Sequence, residues 1–115
     1  MVKLDLSNHP AAQDMVRLIM KKKGLPVKEA INFSVNHDIY NRILETGYAF
    51  IAVDLWGHGG PNRKWEVLGE PLIEIDFDEI RQGLINNVIE KEKVSMETAI
   101  SYFLLFTMES FGYHI

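Results

Sequence analysis

Ser95-Met96-Glu97-Thr98-Ala99-Ile100-Ser101-Tyr102-Phe103-Leu104-Leu105-Phe106-Thr107-Met108-Glu109-Ser110-Phe111 is the stretch on which the fold turns. Its centre, from Ala99 to Met108, is the most apolar run in the chain. Ser95 is a good N-cap, and Glu97 falls in the first turn, where the helix dipole favours an anion. Gly112 follows as a residue that ends helices readily. The stretch is therefore predicted to be a helix of about four turns. Met96, Ile100, Phe103, Thr107 and Phe111 share one stripe, while Tyr102, Leu105, Phe106 and Glu109 fall on other faces. A helix apolar nearly all round is covered on more than one side. That makes it the central helix of the core. Tyr102 and Phe106, off the main stripe, also raise the expectation of a homodimer whose contact includes this helix.

Working back towards the N-terminus, Asp76-Phe77-Asp78-Glu79 matches a capping box. Asp76 is the expected cap, Glu79 its partner three residues on, and Ile75 with Ile80 the hydrophobic staple. Ile80, Leu84, Ile85 and Val88 form the inward stripe of that helix, and Glu90-Lys91-Glu92-Lys93 reads as the linker to Ser95. Before it, Tyr48 to Trp56 is predicted to be a strand. Ala49, Ile51, Val53 and Leu55 make one aliphatic face, and Tyr48, Phe50, Ala52, Asp54 and Trp56 the other. Gly57-His58-Gly59-Gly60-Pro61-Asn62-Arg63-Lys64 is a hairpin loop, after which Trp65-Glu66-Val67 returns. Gly69-Glu70-Pro71 breaks or bulges the returning strand, and Leu72 to Ile75 resumes it. Pro71 donates no ladder hydrogen bond, which favours an edge position or a bulge.

The first part of the chain is helical apart from a short strand at Val2 to Leu6. Pro10 suits the first helical position, with Asn8 or His9 as cap. Ala12, Met15, Val16 and Ile19 form the apolar stripe of a helix that runs to about Lys23 and stops at Gly24. Lys21, Lys22 and Lys23 lie in its last turn, where the dipole favours cations. Val27, Ala30, Ile31 and Ser34 mark a second helix. Asn36 caps a third, with Ile39, Tyr40, Ile43 and Leu44 inward and Gly47 as its stop. The expected architecture is a single α+β domain over 1–115. An antiparallel β-hairpin or small sheet packs against four to five helices, with the C-terminal helix central.

Composition narrows the function classes. The 115 residues hold no cysteine. Disulfides, thiolate zinc sites and cysteine nucleophiles are thereby excluded, and a reducing compartment fits. The N-terminus lacks a signal-type apolar run, and the C-terminal apolar run is too short to span a bilayer. A cytoplasmic location with no membrane association is expected. The net charge of −4 argues against nucleic acid as the main partner.

Two constellations carry possible chemistry. In the loop, Gly57, Gly59 and Gly60 expose backbone N–H groups, and Arg63 and Lys64 add positive charge, so the loop offers an anion site. Histidine is the side chain suited to general acid–base work near neutral pH. His58 has Asp54 four residues before it and Glu66 across the hairpin as candidate carboxylate partners. Phosphate loops, however, usually lead into a helix rather than a strand. His9, His37 and His114 show no metal-ligand spacing, so neither a metal nor a cofactor is expected.

The second constellation is acidic. Glu66, Glu70, Glu74, Asp76, Asp78 and Glu79 follow one another without a lysine or arginine between them. Alternation puts Glu74 and Asp76 on one face, opposite Ile73, Ile75 and Phe77. Trp56 and Trp65 flank the loop. Charge for steering and an aromatic anchor for the buried centre are what a surface facing a basic partner needs.

These features favour a small non-enzymatic binding protein of the inhibitor or immunity type. It would occlude a basic protein through Asp54, Trp56, Trp65, Glu66, Glu70 and Glu74. The first alternative is a small-ligand or catalytic protein using His58, Gly59, Gly60, Arg63 and Lys64. The second is a helix-turn-helix DNA-binding regulator, suggested by Ala30, Ser34 and Tyr40. Against it, the would-be recognition helix carries His37, Asp38, Arg42 and Glu45, a nearly neutral set, whereas DNA binding rests on neutralising phosphates.

Overall fold

The computed structural model describes residues 1–46 and 71–112. The described elements are β1 (Val2–Asp5), α1 (Pro10–Lys23), α2 (Val27–Ser34), α3 (His37–Thr46), β2 (Leu72–Ile75), α4 (Glu79–Glu92) and α5 (Met96–Ser110). The expected strand Tyr48–Trp56, the loop from Gly57 to Lys64 and the return through Trp65 to Glu70 lie outside the described residues, as do Gly47 and His114.

The local signals place most helix ends where the residues predict. Pro10 opens α1, and Gly24 closes it at φ 65 with its N–H donating to the Met20 carbonyl. Asn36 caps α3, its side-chain oxygen accepting from the Ile39 N–H at 3.0 Å. Ser95 caps α5, accepting from the Thr98 N–H at 3.2 Å. Gly112 follows α5 at φ 86, in the left-handed region that glycine enters most easily.

α5 is the axis of the core. Every residue from Ala99 to Met108 is buried. α1, α2, α3, α4 and β1 all pack against it. Its hydroxyls cost little, because Ser101 donates to the Glu97 carbonyl at 2.8 Å and Thr107 to the Phe103 carbonyl at 2.8 Å. Glu97 does more than complement the helix dipole. Its carboxylate accepts from the Asp5 N–H at 3.3 Å and ties the start of α5 to the end of β1. The all-round apolarity of α5 is met by its own chain: Tyr102 is 6% exposed and Phe106 3%. The observation that raised a homodimer contact there is thus accounted for without a second copy.

The sheet is small and non-local. β1 and β2 pair antiparallel, with Val2 opposite Ile75, Lys3 opposite Glu74, Leu4 opposite Ile73 and Asp5 opposite Leu72. Leu6 extends the ladder by donating to the Pro71 carbonyl at 3.0 Å. Pro71 stands just before the strand rather than inside it, so only its acceptor is used. Leu4, Ile73 and Ile75 face the core.

Four local expectations are corrected. The cap of α4 is Asp78, not Asp76; its side chain accepts from the Arg81 N–H at 2.7 Å. Counting three residues on from that cap reaches Arg81 rather than Glu79, so there is no capping box. Ile80 is 66% exposed and belongs to no staple. Glu90 to Glu92 continue α4, which ends at Lys93 in the left-handed region with φ 55. Leu44 lies on the outer side of α3, since Ile39 and Ile43 already fill the side facing α5.

Candidate functional site

Of the residues proposed for partner binding, Glu74 is the one the structure describes. Asp54, Trp56, Trp65, Glu66 and Glu70 lie outside the described residues, as do His58, Gly59, Gly60, Arg63 and Lys64 of the loop. Glu74 is exposed on β2, and Leu72 on the same face is half-exposed. Ile73 and Ile75 point inward, as strand alternation predicts. Asp76, next beyond the strand, is also exposed.

In space the acidic stretch is not without cations. Lys3 is the direct cross-strand partner of Glu74, and both are exposed on the outer face of the sheet. The Asp76 carboxylate lies 3.2 Å from the N-terminal ammonium of Met1. Asp78 pairs with the Arg81 guanidinium. Its carboxyl is held below the usual aspartate value of 3.8, mainly by the Arg81 backbone N–H and further by the guanidinium. The compensating groups come from Met1, β1 and α4, so a count along Glu66 to Glu79 misses them. Exposed pairs of this kind are worth little individually, but they reduce the local field.

A shallow cleft of about 380 Å³ opens beside this region, lined by Met1, Lys28, Glu29, Asn32, Asp76 and Arg81 among others. Its polar groups are largely spent on one another. Arg81 Nε donates to the Asn32 carbonyl at 3.0 Å, and Asn32 Nδ2 donates to the Lys28 carbonyl at 3.1 Å. Asn32 Nδ2 also reaches the Asp76 carbonyl at 3.4 Å. The cleft therefore serves to join α2, β2 and α4. Among the described residues there is no group of three or more histidine or acidic side chains able to hold a metal ion.

α2 and α3 form the pair of short helices on which the helix-turn-helix alternative rests. Ala30 and Ser34 are buried and Tyr40 is partly buried, as in such motifs. Both helices pack on α5. Arg42, the cation of the would-be recognition helix, lies 3.7 Å from Glu109 and over the Phe106 ring at 5.8 Å. Its charge is turned towards the body of the protein rather than offered to a phosphate.

One surface cluster was missed by sequence reasoning. Phe33 of α2 stacks on Phe111, with ring centroids 6.1 Å apart, and Lys23 Nζ lies 5.2 Å from one centroid and 5.4 Å from the other. The signal was present: Phe33 falls off the apolar stripe of α2, on the side where a polar residue is expected.

No helix among the described residues is long and apolar enough to cross a membrane. Compared with known proteins, the chain matches no family model, no curated protein and no solved structure.

Proposed function

We propose that this is a non-enzymatic protein-binding protein of the inhibitor or immunity type. It occludes a basic partner through the outward face of β2 and the acidic, tryptophan-flanked segment before it. The observation that supports this is the alternation in β2. Leu72 and Glu74 face solvent while Ile73 and Ile75 anchor the strand in the core. An exposed aliphatic beside a carboxylate on a rigid strand suits recognition of a basic surface with an apolar centre. In this proposal Glu66, Glu70 and Glu74 steer the encounter, and Trp56 or Trp65 sets the lifetime of the complex.

The test is affinity capture from native cell extract at low and high salt, using wild type and a Glu66→Gln/Glu70→Gln/Glu74→Gln variant. A basic protein retained by the wild type, released by salt and associating more slowly with the variant supports the proposal. Equal association rates for both would leave the acidic stretch as a solvated face and sink it.

A further inference from the structure

We infer that the corner formed by Lys23, Phe33 and Phe111 is a second docking surface. Its occupant is an acidic segment of another protein that carries one apolar anchor side chain. This surface is independent of the β2 face and of opposite sign.

The first support is the exposed aromatic. Phe33 is the one aromatic among the large hydrophobics left exposed in the described residues, at 38%. The second is charge. Lys21, Lys22 and Lys23 are all exposed, and none of them meets a carboxylate at ion-pair distance among the described residues. The helix dipole accounts for lysines at this position but not for the seat of Lys23 over both rings. The third is shape. A groove of about 210 Å³ runs from Phe33 between α3 and α5, with the buried Ile39 and Thr107 in its floor and the exposed Ser110 on its rim. That volume is below the range of about 300–1,000 Å³ usual for small-molecule sites. It suits a single side chain reaching in from a peptide.

Charge complementarity then fixes the ligand and its direction. Arg42 and Glu109 neutralise each other at 3.7 Å, and Asp38 is the acidic residue of the groove lining. Around the groove, the cations that meet no carboxylate among the described residues are Lys21, Lys22 and Lys23 of α1. Acidic residues of the occupant therefore lie over Lys21–Lys23, and the anchor enters beside Phe33, away from Asp38. A single-stranded nucleic acid fits less well, because the rings stack on each other and Lys23 covers them, leaving few free faces for bases. An anionic membrane fits less well because Asp38 and Glu109 would face it.

The experiment titrates the purified protein with a short fluorescein-labelled peptide of aspartate and glutamate around a single leucine. An alanine-for-leucine version, an oligothymidylate and phosphatidylserine vesicles are run in parallel. The leucine peptide is expected to bind, and to bind better than its alanine version. Phe33→Ala and the double variant Lys21→Glu/Lys22→Glu should each weaken it by about tenfold, and Glu74→Gln should leave it unchanged. Phe33 is exposed, so its truncation leaves no internal cavity. Ser110→Trp, which blocks the groove from an exposed position, is the second variant and should also reduce binding. Amide NMR shifts on titration should centre on Phe33, Ile39 and Ser110. Absence of binding, binding indifferent to Phe33→Ala and Ser110→Trp, or tighter binding of the oligothymidylate or the vesicles would each overturn the inference. Because Glu74→Gln separates the two surfaces, failure here leaves the β2 proposal standing, and the reverse holds equally.

Discussion

α4 and α5 are neighbours in sequence and in space, yet they are covered to very different extents. α5 is buried without a break from Ala99 to Met108. α4 buries Leu84, Ile85 and Val88 and leaves Ile80 largely in solvent. Each opens with a side chain accepting from the N–H three residues on. At α5 that side chain is Ser95, and Glu97 in the same turn accepts from the Asp5 N–H of β1. At α4 the cap is Asp78, and the N–H belongs to Arg81, whose guanidinium also holds the Asn32 carbonyl of α2. Both starts are tied to a neighbouring element, α5 through a carboxylate of its first turn and α4 through the guanidinium beside its cap. What differs is how far each helix is buried beyond that turn.

The largest expected effect tests the central role of α5. Leu104 is fully buried, so Leu104→Ala should cost about 2–5 kcal/mol through the cavity it leaves. Thermal unfolding of this variant at the wild-type midpoint would remove α5 from the centre.

The next effect separates the two helix starts. Asp78→Ala should cost about 1 kcal/mol through loss of the cap. Asp76→Ala, which breaks one exposed ion pair, should cost under about 0.5 kcal/mol. Denaturant titration of both variants would show it, and the reverse order would restore Asp76 as the cap.

A gain of stability is expected in α4. A Cβ built on Gly83 meets nothing within 4 Å, and glycine is a poor residue in a helix interior. Gly83→Ala should therefore stabilise by about 0.5–1 kcal/mol. A loss measured by the same titration would mean that α4 packs more closely there than described.

The last effect is a pH dependence at the α4–α5 boundary. Burial, and then the nearby charge of Glu92, raise the Tyr102 phenol above its usual 10.0. The folded state thus holds this proton more tightly than the unfolded one. The stability involved is complete below pH 10.0 and declines as pH rises through the higher folded value. Near-ultraviolet absorbance should show one tyrosine ionising late, and Tyr102→Phe should remove that signal.

The helical part of the fold was legible because its signals are local. Pro10, Gly24, Asn36, Ser95 and Gly112 act on their own turns, and a stripe at helical spacing needs only its own residues. The start of α4 was misplaced because Asp76 and Asp78 are equally good caps in isolation. The choice rests on Arg81 reaching Asn32, a contact between residues far apart in the chain. The cation beside Glu74 was hidden for the same reason, since Lys3 meets it only through the strand pairing. The aromatic corner went unseen because α1, α2 and the end of α5 meet there, and each of Lys23, Phe33 and Phe111 has an unremarkable local explanation.

The pairing of Val2 with Ile75 has a consequence for the order of events in folding. β1 is synthesised early and finds its described partner only after β2 has been made. α1, α2 and α3 likewise have apolar faces that meet α5, the last helix described. The faces of α1, α2 and α3 that meet α5 therefore wait for it while most of the chain is being synthesised. Contacts of this sequence separation close slowly, because loop entropy is spent before they form. A nascent chain ending before Ser95 carries apolar helix faces that α5 has yet to cover, the kind of surface that makes folding intermediates stick to one another. Arrival of α5 is what covers the faces that α1, α2, α3 and α4 turn towards it.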